Sequence, residues 1–156
     1  ANVTAGGLVS PGSSPGTLTL TGNLSLLSTS TLLFELGGNS PGVGYDLLSV
    51  GGSAALGGNL SLQFLNGFHT TMAPGSTFTV FTSSGITGTF ANIANGQRLI
   101  TADGIGAFQV NYGPLSAFGA NNIVLSHFTA VPEPSTYVML GLGAVIIVWQ
   151  VRRRRR

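Results

Sequence analysis

Apolar and polar side chains alternate in short runs over most of the first 130 residues. The segments TLTLT at 17–21, TLLFEL at 31–36 and NLSLQFL at 59–65 place apolar residues at every second position. A period of two is typical of half-buried β-strands and differs from the period of a helix. We therefore predict an all-β body with no long helix before residue 136, and strands at 17–21, 23–27, 31–36, 46–50, 59–65, 76–81, 88–90, 98–101, 107–112 and 122–128.

Pro-Gly pairs at 11–12, 15–16, 41–42 and 74–75 separate these runs and favour tight turns, because proline presets φ and glycine accepts positive φ. The pentapeptide GNLSL occurs at 22–26 and again at 58–62. Such repetition favours a parallel β-solenoid, in which coils of about 20 residues would give roughly six coils. An antiparallel β-sandwich stays open as the alternative, since it also has short, regularly spaced strands.

The C-terminal 26 residues differ from the body. VPEPST at 131–136 precedes an apolar run at 137–151, and five arginines follow. As a helix, the apolar run would be about 22 Å long, which is short for a hydrocarbon core of about 30 Å. Local thinning of the bilayer and a Trp149 anchor compensate for this difference, so we predict a single transmembrane helix at 137–151.

The arginines set the orientation of this predicted helix. Each one costs about 2.5 to 3.5 kcal/mol at the bilayer centre, so the tail is expected to stay in the cytoplasm and to contact membrane lipid. The body would then lie outside the inner membrane. The residues predicted as the cytoplasmic stop are Arg152, Arg153, Arg154, Arg155 and Arg156.

The ending VPEPSTYVMLGLGAVIIVWQVRRRRR resembles the PEP-CTERM sorting domain of exopolysaccharide-producing Gram-negative bacteria, with its signature at 132–134. This resemblance implies export, an inner-membrane intermediate, and cleavage by an exosortase, which is a membrane cysteine transpeptidase, followed by release or transfer to the cell surface. It also implies the segment that the enzyme recognises, namely Val131, Pro132, Glu133, Pro134, Ser135 and Thr136. We accordingly divide the chain into a body at 1–130 and a sorting signal at 131–156.

Residues 6–93 resemble the autotransporter-associated β-strand repeats of bacterial passenger proteins. The stretches concerned are GGLVSPGSSPGTLTLTGNLSLLSTSTLLFELGG, GVGYDLLSV, GGNLSLQFLNGF and GSTFTVFTSSGITGTF. The resemblance implies a right-handed β-helix. Because residues 2–7 run into repeat-like sequence without a capping element, we expect the chain to be the C-terminal part of a longer protein.

Charge is scarce in the body. Glu35, Asp46, Arg98 and Asp103 are its charged residues and give a net charge of −2, so the basic pI of 9.7 comes from the tail. Nucleic-acid binding requires clustered cations, and we exclude it for this body. The absence of cysteine excludes disulfides and thiolate metal sites.

Candidates for catalysis and metal binding are few. Glycoside cleavage needs two close carboxylates, and three separated acids give little support for such a pair. Asp46 is expected to close the turn after Gly44, and Glu35 to face solvent. The segment 42–48 matches one copy of a calcium-binding nonapeptide, which works only in tandem. His69 and His127 have no carboxylate nearby in the sequence. We predict no catalytic, cofactor or metal site.

The sequence thus predicts an exported, non-enzymatic structural or adhesive protein of the extracellular matrix or biofilm. Exopolysaccharide and further copies of the chain are its candidate partners besides the exosortase. Two alternatives remain, which are the C-terminal module of a polysaccharide-active β-helix enzyme and a self-assembling filament subunit. Six aromatic residues could stack on sugars but, at alternating positions, are expected to fill the core: Phe64, Phe68, Phe78, Phe90, Tyr112 and Phe118.

Overall fold

The computed structural model describes residues 1–131, and this part of the chain is all-β, as predicted. Its one helical segment is a short 3-10 helix, η1, at Phe68–Thr70. The strands within residues 1–131 are β1 (Val3–Ala5), β2 (Leu8–Val9), β3 (Thr17–Leu20), β4 (Leu24–Leu26), β5 (Thr31–Leu36), β6 (Leu47–Val50), β7 (Ser53–Leu56), β8 (Asn59–Phe64), β9 (Phe78–Thr82), β10 (Gly85–Gly88), β11 (Arg98–Ile100), β12 (Gly106–Tyr112) and β13 (Asn122–Ala130).

Up to β10, successive strands belong in turn to three open sheets, A, B and C. Sheet A has the order β1-β4-β7-β10 and sheet B the order β2-β5-β8. Sheet C begins with β3-β6-β9 and continues through β13, β12 and β11. Up to β10, each strand pairs in parallel with the strand three places along the chain. Apart from an isolated antiparallel bridge between Leu36 and Tyr45, antiparallel pairing within residues 1–131 joins only β9, β11, β12 and β13, whereas a β-sandwich would use it throughout.

The spacing of partner strands exceeds the expected coil length of about 20 residues. Val3 pairs with Leu24, Leu24 with Ala54 and Ala54 with Ile86, which are offsets of 21, 30 and 32 residues. The two GNLSL copies do not stack on each other, because the first lies on β4 in sheet A and the second on β8 in sheet B. The pentapeptide is therefore a local strand pattern that two different sheets use.

Alternation decides which side chains form the core. In β5 and β8, every second residue is buried: Leu32, Phe34 and Leu36 pair with Leu60, Leu62 and Phe64. The core formed by these rows continues into β9, β12 and β13, where Phe78, Phe81, Phe108 and Leu125 are at most 1% exposed. Edge-to-face aromatic pairs, such as Tyr45 with Phe78 at 5.2 Å between ring centroids, fill this part of the core.

Nine of the ten predicted strands share most of their residues with an observed strand, and β5 has the predicted bounds. The strand predicted at 88–90 is misplaced, because β10 ends at Gly88 and Phe90 lies in the loop beyond it with a buried ring. The alternation pattern misses β1, β2 and β7. In β7 the inward residues are Ala54 and Leu56, so the two faces of the strand differ little in hydrophobicity.

Two neighbouring leucines on β6 provide a test of this inward–outward division. Leu48 is fully buried, whereas Leu47 is half-buried on the opposite face of the strand. Replacing Leu48 by alanine should lower the free energy of unfolding by about 2–5 kcal/mol, because the cavity cannot close fully. Leu47→Ala is the matched control and should cost less than about 1.5 kcal/mol. Chemical denaturation followed by circular dichroism measures both values, and equal losses would contradict the assigned faces.

Candidate functional site

The sorting segment predicted at 131–136 begins where the folded body ends. The last strand, β13, runs antiparallel to β12 up to the pairing of Ala130 with Gly106. Val131 follows directly, and its backbone N–H donates to the carbonyl oxygen of Ile105 at 2.9 Å. The side chain of Val131 is 39% exposed. Val131 is therefore fixed to the body by its backbone, while the predicted residues 132–136 lie outside the described residues.

The contact with Ile105 places Val131 beside the turn that joins β11 to β12. In this turn the N–H of Thr101 donates to the carbonyl of Gly106 at 2.8 Å, and the Thr101 hydroxyl lies 3.1 Å from the same carbonyl. Asp103 accepts hydrogen bonds from the Thr101 hydroxyl at 2.6 Å and from the Ile105 N–H at 3.2 Å. Val131 is thus hydrogen-bonded to a turn whose conformation the Asp103 carboxylate stabilises.

Asp103 also connects this turn to sheet B. Its second carboxylate oxygen accepts the N–H of Phe64, at the end of β8, at 3.2 Å. Partial burial on its own would raise the pKa of Asp103, but the hydrogen bonds from Thr101, Ile105 and Phe64 favour the ionised form and lower the pKa below its usual value. The ionised carboxylate is therefore the form that stabilises the turn between β11 and β12.

Arg98 lies on β11 and reaches past β12 to the last third of β13. Its guanidinium donates to the carbonyl oxygens of Ala107 at 3.1 Å and His127 at 2.7 Å, and also to the hydroxyl oxygen of Thr129. His127 has a φ of 49° and lies where the β12–β13 register shifts. Arg98 thereby satisfies an acceptor in the irregular part of the strand that leads to Val131.

Asp46 has a structural environment that differs from the predicted one. The turn before it is closed by the carbonyl of Ser40, which accepts the N–H groups of Gly44 and Tyr45. The Asp46 side chain is fully buried and accepts the N–H of Gly16 at 2.7 Å and of Glu35 at 2.8 Å. Burial raises the pKa of Asp46, although these two hydrogen bonds oppose the rise. Asp46 therefore connects the start of β3 to β5 and does not close a local turn.

The other candidates for chemistry are dispersed. Glu35 lies on the outward face of β5 and pairs in register with Gln63, as expected for a solvent-facing position. His69 packs on Phe64 with ring centroids 5.5 Å apart, and His127 Nδ1 lies 2.9 Å from the Ser126 hydroxyl. Among residues 1–131 no three His, Cys, Asp or Glu side chains come close enough to hold a metal ion.

Most of the aromatic residues considered for sugar stacking are inside the core. Phe64, Phe68, Phe78, Phe90 and Tyr112 are between 1% and 7% exposed, and the Tyr112 hydroxyl donates to the carbonyl of Ile93. Phe118 is 38% exposed. The prediction that these rings fill the core is thus confirmed for five of the six, and Phe118 is the exception.

We expect Arg98→Gln to loosen the end of β13. The substitution removes the charged donor from the carbonyl of His127, and a hydrogen bond to a charged group contributes about 1.5–3 kcal/mol. Amide hydrogen exchange at residues 127–131 should accelerate by roughly tenfold or more, while Ile123 to Leu125 stay protected. Arg98→Lys, which keeps the charge without the planar fork, should show a smaller increase. Unchanged exchange at 127–131 in Arg98→Gln would show that Arg98 does not hold this segment.

Asp46 and Asp103 should affect acid stability with opposite signs. Because the folded-state pKa of Asp46 is raised above 3.8, the folded protein retains a proton that the unfolded chain has lost, and stability falls as the pH rises through this window. The pKa of Asp103 is lowered below 3.8, so its contribution is present above 3.8 and is lost as the pH falls through the folded-state value.

Unfolding free energies measured between about pH 2 and pH 6 separate these two contributions. Asp46→Asn should remove the decline in unfolding free energy as the pH rises above the ordinary aspartate pKa. Asp103→Asn should reduce the loss of unfolding free energy as the pH falls below that pKa. Each variant also serves as the control for the other, because the remaining carboxylates are common to both. The assignment is wrong if the two substitutions change the pH dependence in the same direction.

Comparison with known proteins supports the interpretation of the C-terminal segment. The PEP-CTERM protein-sorting motif matches residues 130–155, which include the predicted segment and most of the arginine tail. No curated protein and no solved structure matches the chain. The resemblance of residues 6–93 to autotransporter repeats receives no support from these comparisons. Residues 1–131 contain no helix of the length and hydropathy needed to cross a membrane, and the helix predicted at 137–151 lies outside the described residues.

The sorting motif implies export to the cell envelope or surface and processing by an exosortase. In the structure this motif starts at the end of β13, because the match begins at Ala130, the last residue of that strand. The chain therefore has the features of an exosortase-sorted extracellular protein, with the sorting segment joined directly to a folded β-sheet body.

Proposed function

We propose that this chain is a structural or adhesive protein of the cell surface or extracellular matrix, with a β-solenoid body and an exosortase-processed C-terminal signal. The observation that supports it best is the direct attachment of the sorting motif to a body in which three of the four charged side chains bind the backbone. Asp46, Arg98 and Asp103 all donate or accept within the fold, as described above. A body of this kind is suited to presenting a surface and offers little for catalysis.

The strand pairing supports the solenoid part of the proposal. Each coil would place one strand in sheet A, one in sheet B and one in sheet C before the chain returns to sheet A. β1 to β9 follow this rotation three times, and β10 begins a fourth. Crossover connections between parallel strands of one sheet are nearly always right-handed, so the proposed coil is right-handed. The body would then be a short stack closed at one end by β11 to β13.

The outer faces of sheets A and C support a role in surface contacts. Small uncharged residues in register form a row across sheet A: Thr4, Ser25, Ala55 and Thr87. A second row crosses sheet C at Thr19, Ser49, Thr82 and Asn122. A shallow concavity of about 330 Å³ follows the first row and has no charged side chain in its lining. Such faces can form hydrogen bonds with neutral polymers, including exopolysaccharide, without the desolvation cost of buried charges.

The two alternative functions receive less support from the geometry. A site for polysaccharide cleavage within residues 1–131 would need two free carboxylates, whereas both oxygens of Asp46 accept backbone N–H groups and Asp103 accepts three hydrogen bonds. A filament of solenoids stacked head to tail needs matching strand edges at both ends. At the C-terminal end of the body, β9 is already paired with β13 in antiparallel orientation.

Processing can be tested by intact mass of the cell-surface form in a host with an exosortase. We expect the mature wild-type protein to lack the residues beyond the motif at 132–134, including the five arginines. Glu133→Ala should accumulate as the full-length chain in the inner membrane, because the motif is no longer recognised. Glu35→Ala is the matched control, since it removes a carboxylate from the outward face of β5 and leaves the motif intact.

The same strains test the sorting signal and the proposed adhesive role independently. If Glu133→Ala is released at the wild-type mass, the motif does not direct processing and the proposed route is wrong. For the adhesive role, cells that produce the wild-type chain should retain more biofilm mass than cells that produce Glu133→Ala, whereas Glu35→Ala should match wild type. Equal biofilm mass in all three strains would contradict a role in the matrix while leaving the sorting result unaffected.

A further inference from the structure

Two Asn-Gly pairs occur in the body, at Asn66-Gly67 and at Asn95-Gly96. This dipeptide is chemically reactive, because a glycine without a side chain leaves its backbone nitrogen open to approach. That nitrogen can attack the side-chain amide of the preceding asparagine and close a cyclic imide. The two pairs share this reactivity in an unfolded chain, so the folded structure determines which of them can react.

Asn66 and Gly67 are the central residues of the tight turn between β8 and η1. Their φ angles are 51° and 68°, and the N–H of Phe68 donates to the carbonyl of Leu65 at 3.0 Å across the turn. Positive φ at both central residues is typical of a type I′ turn, for which Asn-Gly is a preferred sequence. Both residues are exposed, and no heavy atom lies within 4 Å of the position that a Cβ on Gly67 would take. Solvent therefore reaches both reacting groups.

Within residues 1–131, no hydrogen bond holds either reacting group of this pair. The N–H of Gly67 has no acceptor there and the side-chain amide of Asn66 has no partner, whereas the carbonyl of Gly67 accepts the N–H and the hydroxyl of Thr70. The attacking nitrogen and the attacked carbon can therefore approach each other by rotation about the Asn66 backbone. Gly67 adds little steric resistance to that rotation.

At Asn95-Gly96 the corresponding groups are both bound to β12. The N–H of Gly96 donates to the carbonyl of Val110 at 2.7 Å. The Oδ1 of Asn95 accepts the N–H of Tyr112 at 2.8 Å. Attack of the Gly96 nitrogen on the Asn95 side chain requires both bonds to open first. The fold therefore slows the reaction at Asn95 and leaves it possible at Asn66.

We propose that Asn66 is a site of spontaneous deamidation through a cyclic imide, with water as the co-reactant. The Gly67 nitrogen loses its proton and forms a bond to Cγ of Asn66. The bond from Cγ to the side-chain nitrogen breaks, and ammonia leaves with that proton. Water then opens the imide at one of its two carbonyl carbons. Opening at Cγ gives aspartate, and opening at the backbone carbonyl gives isoaspartate, in which the chain continues through Cγ.

Both products change the body next to a strand that contacts the turn between β11 and β12. Each adds one negative charge to a body of net charge −2. Aspartate tolerates positive φ and keeps the turn. Isoaspartate adds a backbone carbon, which distorts the bond from the Phe68 N–H to Leu65. This turn directly follows Phe64, whose N–H donates to Asp103. The modification does not depend on the proposed surface role.

Incubation of the full-length chain in detergent at mildly alkaline pH tests the proposal by peptide mass spectrometry. Replacement of an amide by a carboxyl group raises the peptide mass, and chromatography separates aspartate from isoaspartate. In the folded chain Asn66 should convert at least several-fold faster than Asn95, and its rate should rise with pH because the deprotonated nitrogen is the nucleophile. In a parallel sample unfolded with guanidinium, the two sites should convert at similar rates. Equal rates in the folded chain, or no conversion of Asn66 there, would overturn the proposal.

Gly67→Ala tests the imide route. The added methyl group hinders the attacking nitrogen, so conversion of Asn66 should slow several-fold in both the folded and the unfolded sample. The prediction therefore holds even if the strain at a φ of 68° weakens the folded state of this variant. Gly96→Ala is the matched control and should leave the rate at Asn66 unchanged. An unchanged rate in Gly67→Ala, or aspartate without any isoaspartate, would show that the Gly67 nitrogen does not attack and would reject the imide.

Discussion

The body depends on parallel pairing between strands that are three elements apart in the chain. This pairing places apolar side chains of neighbouring strands next to each other. Rows such as Leu32 with Leu60 and Phe34 with Leu62 therefore continue through the core. The alternation that keeps these rows inside also places Thr31, Leu33 and Glu35 outside. A one-residue slip of β5 would exchange the two sets and expose the apolar row. Burial of the apolar side chains therefore sets the register, and the hydrogen bonds between the strands form in that register.

Near the C-terminal end of the parallel pairing, the chain itself covers the strand edges of sheets B and C. Near the C-terminal end the chain changes from parallel to antiparallel pairing at β9 and β13, which lets it fold back across the core. Asn92 and Asp103 supply side-chain substitutes for strand bonds along β8. Few residues are needed for this, because in a parallel edge only every second residue points its N–H and carbonyl outward.

The sequence predicted local strands well and their partners poorly. β5 could be predicted at its observed bounds because TLLFEL alternates large apolar residues with others, whereas β7 was missed because alanine contributes little contrast. The identical GNLSL segments were misleading for a related reason: any half-buried strand that begins after a turn can use that pattern, in whichever sheet it lies. The environment of Asp46 also could not be predicted, because one of its donors, Gly16, is 30 residues away. The sorting motif, by contrast, is linear and needed no tertiary contact to be found.

The connection between body and sorting motif has a simple chemical basis in the residues themselves. β13 pairs with β12 through Ala130, and Val131 still donates its N–H to Ile105. The next residue, Pro132, has no N–H and so cannot donate to a sheet, and Pro134 repeats the restriction two residues later. Prolines on both sides of Glu133 therefore oppose continuation of the antiparallel ladder into the motif. A motif that an enzyme recognises must be accessible, and two residues that cannot donate to a neighbouring strand favour that accessibility.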